Sequence, residues 1–257
     1  MAHYIKNTVN TALAIPVIPS DTVPILNPSC VQYSGSADRT VANKLYDEGN
    51  SSLIISDTTS SDTTDKLVDL SVDFTVAPTI VKIKNQVINT TASPDTYAIV
   101  TAIDTATILS IDADIFQSAP EDYKILGDGF ATSANPVKVG DYVLNLTDLT
   151  MTTVSSVESD CQLGLADDIM ASGEEYQIFS ADKILGGLAY DEGALVYVGS
   201  NEGTMDVAKS FVDVKVQTYG QNDVIFQNVA VGSVLPVQCI KVYSTGTDAA
   251  VKPIAMW

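Results

Sequence analysis

Six residues decide the fold class: Val212-Asp213-Val214-Lys215-Val216-Gln217. Valine alternates here with polar or charged residues, and a period of two places the valines on one face of a β-strand. Short runs rich in Val, Ile, Thr and Ser recur along the chain. They are broken by Gly, Asp, Asn or Pro about every eight to twelve residues, which is typical of all-β proteins. The sequence therefore predicts an all-β fold.

The C-terminal part of the chain continues this pattern. Three further apolar runs, each preceded by turn residues, are Val224–Phe226, Val237–Tyr243 and Val251–Trp257. Turn residues between such runs join neighbouring antiparallel strands. We therefore expect a C-terminal meander of four strands, with Val251–Trp257 as an exposed edge strand.

The middle of the chain repeats itself at an offset of 56 residues: Val81–Asn89 (VKIKNQVIN) aligns with Val137–Asn145 (VKVGDYVLN). Later segments follow with small changes of offset at turns, where changes of loop length are tolerated. The flanking segment Lys66-Leu67-Val68-Asp69 has a divergent relative at Lys44-Leu45-Tyr46-Asp47, which we interpret as a lead-in left from a third copy. The pattern predicts two head-to-tail copies of one small β-barrel-like unit that hides its own edges.

Alternation within the second copy also predicts which of its side chains face inward, together with their counterparts in the first copy. These residues are Val137, Val139, Val143, Val154, Val157, Leu163, Leu165, Tyr176 and Ile178.

The charge balance excludes one class of partner. The chain has 13 Lys and Arg residues against 32 Asp and Glu residues, a formal net charge of -19 at pH 7, and Arg39 is its only arginine. Nucleic-acid binding requires cationic side chains that displace the counterions of the phosphates. We therefore expect no nucleic-acid partner and interpret the acidity as a source of solubility and mutual repulsion between free chains.

No stretch of the sequence reaches the length of a membrane span. The apolar run Thr11–Pro19 is short, lacks a basic flank and is broken by Pro16 and Pro19, so it does not resemble a signal peptide. We expect a soluble protein that is made in the cytoplasm and has no membrane partner.

Residues for catalysis or metal binding are sparse. The only histidine is His3, so no Ser-His-Asp or Cys-His arrangement is possible. The Gly186-Gly187 pair lacks the Gly-Lys-Ser/Thr sequence of a phosphate-binding loop. An odd number of widely spaced cysteines argues against a disulfide framework or a zinc site and predicts buried thiols. The three cysteines are Cys30, Cys161 and Cys239.

Adjacent carboxylates are the remaining candidates, because a glycosidase needs only two. The Glu-Asp and Glu-Glu pairs occur at equivalent points of the two repeats, which favours a structural role over catalysis. A calcium ion near Asp112 and Asp114 is a weaker alternative, since no EF-hand spacing supports it. We predict no catalytic, cofactor-binding or metal-binding residues. The pairs considered are Asp112/Asp114, Glu121/Asp122, Asp167/Asp168 and Glu174/Glu175.

A series of motifs in the C-terminal third resembles the head spike base protein of gene transfer agents and related tailed phages. In order, they are Ala194–Gly199 (ALVYVG), Asp213–Val216 (DVKV), Val224–Val229 (VIFQNV), Leu235–Gln238 (LPVQ) and Val242–Thr247 (VYSTGT). The repeats are similar to segments of marine phage structural proteins.

The family also begins with an Ala-Ile…Pro-Ser-Asp-Thr element, matched here by Ala14-Ile15 and Pro19-Ser20-Asp21-Thr22. In compact members this element runs almost directly into the strand matched by Ala194–Gly199, so about 170 residues are inserted in this chain. The resemblance and the repeats together predict a discontinuous β-sandwich base of residues 1-37 and 189-257. Residues 38-128 form the first repeat with its lead-in, and residues 129-188 the second.

The resemblance implies a virion structural protein on the particle surface, as a capsid decoration or head spike base subunit. Its partners would be other copies of itself and other virion proteins, such as major capsid or tail proteins or a fibre. A tail, baseplate or fibre-adaptor subunit is the alternative within this class. From other classes, the alternatives are a host-glycan receptor-binding module and a carboxylate-dependent glycan hydrolase.

Overall fold

The computed structural model describes residues 14–182, 193–200 and 210–256. These residues form three antiparallel sheets of six strands each and a short 3-10 helix at Pro28–Cys30, so the prediction of an all-β fold is confirmed. The chain divides into a terminal unit (Met1–Cys30 and Asp182–Trp257) and a central unit (Val31–Ala181).

In chain order, the strands of the central unit are β2 (Val31–Ser36), β3 (Lys44–Tyr46), β4 (Ser52–Thr58), β5 (Lys66–Val68), β6 (Gln86–Asn89), β7 (Thr96–Thr105), β8 (Ile108–Ile111), β9 (Asp122–Gly127), β10 (Tyr142–Asn145), β11 (Met151–Val157), β12 (Gln162–Leu165) and β13 (Glu175–Phe179). Those of the terminal unit are β1 (Ala14–Pro16), β14 (Ala194–Ser200), β15 (Phe211–Thr218), β16 (Asp223–Ala230), β17 (Val234–Val242) and β18 (Val251–Met256).

The terminal unit brings residues from both ends of the chain into one sheet, with the strand order β1-β18-β14-β17-β15-β16. Ala14 pairs with Met256 and Pro16 with Ile254. The segment after β1 stays with this sheet, because the N–H of Ile25 donates to the carbonyl of Ile240 at 2.8 Å. The predicted strand at Val212–Gln217 is confirmed as part of β15, and its valines are buried in the core of the unit.

The predicted four-strand meander is wrong. Only β15 and β16 form a hairpin, while β17 pairs with β14 and β15, and β18 lies between β1 and β14. The turn after β16 does not close a second hairpin, because Gly232 N–H donates to the carbonyl of Val198 in β14 at 2.8 Å. The described part of the expected edge strand, Val251–Met256, is therefore an inner strand: it pairs with β14 along its whole length and with β1 at Ile254–Met256, and β16 is the long edge strand.

Two sheets of identical connectivity make up the central unit. The first-repeat sheet has the order β4-β9-β6-β7-β8-β5, and the second-repeat sheet has the order β2-β13-β10-β11-β12-β3. The predicted lead-in at Lys44–Asp47 contributes β3, which pairs with β12 of the second-repeat sheet and not with the first-repeat sheet. It occupies the position that β5 occupies beside β8.

The outer strands of each of these two sheets also meet at one end. Ser60 N–H, just after β4, donates to the carbonyl of Val68 in β5 at 2.8 Å. Asp38 N–H, just after β2, donates to the carbonyl of Tyr46 in β3 at 2.8 Å. Strand edges that bond to each other are not open to foreign strands.

Most of the predicted inward-facing residues are buried, but Val139 is not. It is 67% exposed, and its counterpart Ile83 is 57% exposed. The residues from Lys138 to Asp141 form a turn closed by a 3.1 Å bond from Asp141 N–H to the Lys138 carbonyl, and Gly140 has a φ of 93°. A turn interrupts the alternation that the sequence suggested. Val157 is half-buried, and the confirmed buried residues are Val137, Val143, Val154, Leu163, Leu165, Tyr176 and Ile178.

These placements predict different costs for the same substitution at two valines of one segment. Val143→Thr puts a hydroxyl into the core, which costs about 1–3 kcal/mol of unfolding free energy. Val139→Thr leaves the hydroxyl in water and changes stability by less than about 0.5 kcal/mol. Urea unfolding followed by circular dichroism measures both, and equal losses would contradict the placement of Val139 in an exposed turn.

Candidate functional site

The acidic pairs predicted as candidates are held in loops by local hydrogen bonds. Glu121 Oε2 accepts the N–H of Gln117 at 2.9 Å, and Glu174 Oε2 accepts the N–H of Ala171 at 2.6 Å and the Nδ2 of Asn145 at 2.8 Å. Each carboxylate thus caps the loop that precedes its own strand. The equivalent bonds in the two repeats fit a structural role.

Three further candidate carboxylates, Asp112, Asp167 and Asp168, accept hydrogen bonds from other segments of the chain. Asp112 Oδ1 accepts the N–H of Ile99 at 2.6 Å. Asp167 Oδ2 accepts the hydroxyl of Thr152 at 3.0 Å, whereas its neighbour Asp168 accepts the N–H of Asn43. In the part of the chain that the structure describes, no group of three or more His, Cys, Asp or Glu side chains is arranged to hold a metal ion.

Three residues singled out in the sequence, His3, Gly186 and Gly187, lie outside the described residues. The three cysteines are free and buried, which confirms that prediction. Burial raises the pKa of Cys161 to about 12 and that of Cys239 to about 12. Both thiols are therefore protonated at neutral pH and unsuited to nucleophilic attack.

The densest polar cluster lies where the two sheets of the central unit meet, and its centre is Asp160. This carboxylate is fully buried. Its Oδ1 accepts N–H groups of Gly129, Ala131 and Thr132 at 2.8 to 3.1 Å, and its Oδ2 accepts Nδ2 of Asn85 at 2.6 Å. The hydroxyl of Thr132 also donates to it, at 2.9 Å from Oδ2. The carboxylate of Asp160 thus receives its hydrogen bonds from Asn85 of the first repeat and from residues 129 to 132, which follow the first repeat in the chain.

Backbone and side-chain bonds around Asp160 extend this junction. The N–H of Asp160 donates to the carbonyl of Lys84 at 3.0 Å, and Lys84 Nζ donates to the carbonyl of Val157 at 2.8 Å. The neighbouring Ser159 hydroxyl donates to Oε1 of Gln86, a buried side chain at the start of β6, at 2.7 Å. The turn before β6 is therefore fixed against the β11–β12 hairpin.

A small apolar cluster lies at the same junction. Tyr46 and Cys161 come from the second-repeat side, and Ile88 and Leu126 from the first-repeat sheet. The rings of Tyr46 and Tyr97 meet edge to face with centroids 5.5 Å apart. Burial of apolar side chains from both sides stabilises the contact between the two sheets.

The only arginine of the chain lies between these two tyrosines. The guanidinium carbon of Arg39 is 3.5 Å from the centroid of Tyr46 and 3.2 Å from that of Tyr97. Its charge is balanced by Glu48, which also binds Lys124 of β9 at 2.9 Å. A guanidinium close to both rings contributes cation–π interactions that join the two sheets.

Sequence reasoning missed this junction, although one signal was present. Ala106 and Asp160 are equivalent by hydrogen bonding, since Phe74 N–H donates to the Ala106 carbonyl and Phe130 N–H to the Asp160 carbonyl. A buried aspartate in one copy and an alanine in the other marks a position where the two repeats have different neighbours.

Charge is distributed unevenly between the two units. The central unit has 7 basic and 23 acidic residues, a net of -16, and the terminal unit has 6 basic and 9 acidic residues, a net of -3. All ion pairs found among the described residues lie in the central unit. In the terminal unit, Lys215 and Lys241 instead lie on either side of Tyr243, with Nζ atoms 4.4 and 5.4 Å from its ring centroid.

Comparisons with family models, curated proteins and solved structures found no match to this chain. None of the helices in the described residues is long and apolar enough to cross a membrane.

The junction predicts a large loss of stability on changing Asp160 to asparagine. Asparagine keeps one acceptor oxygen for the N–H groups of Gly129 to Thr132 but turns its own NH2 toward Nδ2 of Asn85, so a buried donor loses its acceptor at a cost of about 1–3 kcal/mol of unfolding free energy. The matched control is Asp128→Asn, because Asp128 is 61% exposed and its pair with Lys82 is worth at most about 1 kcal/mol. Urea titration of both variants tests this, and equal midpoints would rule out the role given to Asp160.

Proposed function

We propose that this chain is a virion structural protein on the surface of a tailed-phage particle, as a capsid decoration or head spike base subunit. The observation that carries the proposal is the single sheet of the terminal unit. The motifs that resemble the spike base family are separated by about 170 residues in sequence. Ala14-Ile15 lies in β1, and the strand-like motifs of the C-terminal third lie in β14 to β17 of the same sheet.

The charge distribution supports assigning the particle contact to the terminal unit. Its near-neutral net charge allows close approach to another protein, and Lys215 and Lys241 have no carboxylate within 4.0 Å among the described residues. The central unit, at a net of -16, favours contact with water and repels like surfaces. We therefore assign attachment to the terminal unit and the solvent-exposed role to the central unit.

Within this proposal the terminal unit is a discontinuous β-sandwich base, and the central unit is a pair of barrel-like repeats inserted in it. Equivalent hydrogen bonds support the duplication. Asn89 Nδ2 and Asn145 Nδ2 donate to the carbonyls of residues 115 and 169. The hydroxyls of Tyr123 and Tyr176 donate to Asp69 and Asp47, each at 2.7 Å.

The same equivalences favour a nested arrangement over a simple head-to-tail one. Asp47 and Phe130 of the second repeat correspond to Asp69 and Phe74 of the first. Only Leu70–Asp73 lies between Asp69 and Phe74, whereas the whole first repeat lies between Asp47 and Phe130. We infer that the first repeat is an insertion into one loop of the second.

A nested insertion predicts which excision leaves a folded protein. Replacing residues 48–129 by Leu-Ser-Val-Asp, the sequence of Leu70–Asp73, retains every strand of the second-repeat sheet. We expect cooperative thermal unfolding and a β-sheet circular dichroism spectrum. A companion excision that also carries Asp160→Ala removes the buried carboxylate that would otherwise lose its Asn85 partner.

The matched control deletes residues 38–128, the first repeat as the sequence alone delimits it. This deletion removes β3, the partner of β12, and exposes the edge of the second-repeat sheet. We expect an aggregated or unfolded product. The nested arrangement fails if the 38–128 deletion folds cooperatively while both excisions of 48–129 do not.

The alternatives from other classes receive less support from the site. Among the described residues, the exposed large aromatic side chains are Phe211 and Tyr219, and both lie in the terminal unit, so the repeats show no aromatic platform for a host glycan. Glu174 bonds to loop donors as its equivalent Glu121 does, and Asp167 accepts the hydroxyl of Thr152 in β11. A glycan hydrolase needs two carboxylates that face each other across a cleft.

The direct test is to locate the protein in particles made by the genome that encodes it. We expect it to band with purified particles and an antibody to label their surface by electron microscopy. Purified protein is expected to show no turnover of host glycans. Absence from particles overturns the proposal, and so does glycan hydrolysis that is abolished by Asp167→Asn.

A further inference from the structure

Among the described residues of the terminal unit, one long strand is paired on one side only. β16 is the outermost strand of its sheet and pairs only with β15 among the described residues. The opposite edge is β1, which has three residues and ends at Pro16. A free row of backbone N–H and C=O groups is a template for another strand.

The devices that usually protect such an edge are sparse in β16. It contains no lysine and no proline, and Asp223 is its single charged residue. A bulge opposite β15 and the positive φ of Asn228, 54°, disturb only the distal half of the strand. The proximal half, Asp223–Phe226, pairs regularly with β15 and has no bulge that would prevent a partner strand from pairing there.

Apolar side chains occupy both faces of this proximal half. Ile225 is opposite Lys215 on the solvent face and is 53% exposed. Phe226 is opposite Val214 and packs only partly against the core. A strand added to β16 would cover both side chains, and burial of apolar area favours that addition.

The sequence of the strand is complementary to itself in one antiparallel register. With a two-fold axis at Ile225, this residue opposes Ile225 of a second copy. Val224 then opposes Phe226, and the acceptor Asp223 opposes the amide donor Gln227. No charged residue opposes a like charge, and pairs of this kind stabilise neighbouring strands.

Charge also favours a second copy at this edge. Two chains that meet through terminal units bring together surfaces of net -3 each, whereas contact through central units would bring together surfaces of net -16 each. Like-charge juxtaposition suppresses the latter contact. The outer strands of each central sheet also bond to each other at one end, at Ser60–Val68 and Asp38–Tyr46, which partly closes their edges.

We propose that the chain forms a two-fold symmetric dimer in which β16 of one copy pairs antiparallel with β16 of another about Ile225. The isologous contact joins two six-stranded sheets into one of twelve strands. This dimer rests on the self-association in the proposed function and specifies the contact that produces it. It does not depend on where the protein lies in the virion.

Sedimentation velocity of the full chain at micromolar concentrations tests the dimer. Ile225→Lys and Ile225→Glu each place like charges across the axis, and each is expected to weaken the dimer by about tenfold or more. A mixture of the two variants places Lys opposite Glu and is expected to restore association. The matched control is Val234→Lys, which adds the same charge at a 44% exposed valine of β17, a strand paired with β14 and β15.

Several results would overturn the inference. These are a wild-type chain that stays monomeric, a dimer that Ile225→Lys leaves intact, or folded variants that do not associate when mixed. If the wild-type chain is monomeric and its Ile225→Lys variant is lost from particles, β16 pairs with a strand of another particle protein. The dimer is then wrong, but the proposed function stands. A dimer that behaves as expected but is absent from particles supports the inference and overturns the proposed function.

Discussion

The buried carboxylate of Asp160 is the constraint on which the arrangement of the central unit depends. A carboxylate with no access to water is costly unless donors surround it. Its donors come from Asn85 and from residues 129 to 132, so none belongs to the second-repeat sheet itself. One of these donors, the amide of Asn85, belongs to the first repeat, so the carboxylate has all of its donors only when the first repeat is in place. The same junction brings Tyr97 against Tyr46 and places Arg39 against both rings.

Most of the basic side chains of the central unit are bonded within that unit. Five of the seven basic residues of the central unit form ion pairs with its own carboxylates, and Lys84 is bound to a carbonyl at the junction. The remaining carboxylates give that unit an acidic surface, which disfavours association through it. Among the described residues, lysines with no carboxylate within 4.0 Å and a strand edge paired on one side only both occur in the terminal unit. Charge and hydrogen bonding therefore both favour the terminal unit as the contact of the proposed dimer.

The sequence predicted where the strands lie better than it predicted which strands pair with each other. Alternation is a local property, so the strand at Val212–Gln217 and the burial of Val143 could be read directly. Strand pairing depends on residues that are far apart in the sequence. Gly232 bonds to Val198 in β14, and β17 pairs with β14 in place of the expected hairpin with β16. Lys44–Asp47 resembles Lys66–Asp69 because both strands fill the same place in equivalent sheets, but sequence order alone suggested a remnant. Asp160 gave no signal by itself, since its donors lie up to 75 residues away.

Asp160 and Ala106 occupy equivalent positions but differ in what they offer a neighbouring segment. The carbonyl of Ala106 accepts the N–H of Phe74 as that of Asp160 accepts Phe130, so the two backbones provide the same position. Only Asp160 supplies a carboxylate to receive the donors of another repeat. At the equivalent loop, the first repeat has four residues, Leu70–Asp73, where the second contains a whole repeat. A third copy at that loop would meet a methyl group in place of an acceptor and leave its own buried asparagine amide unsatisfied. In the proposed nested arrangement, the first repeat thus lacks the acceptor that a further copy would need.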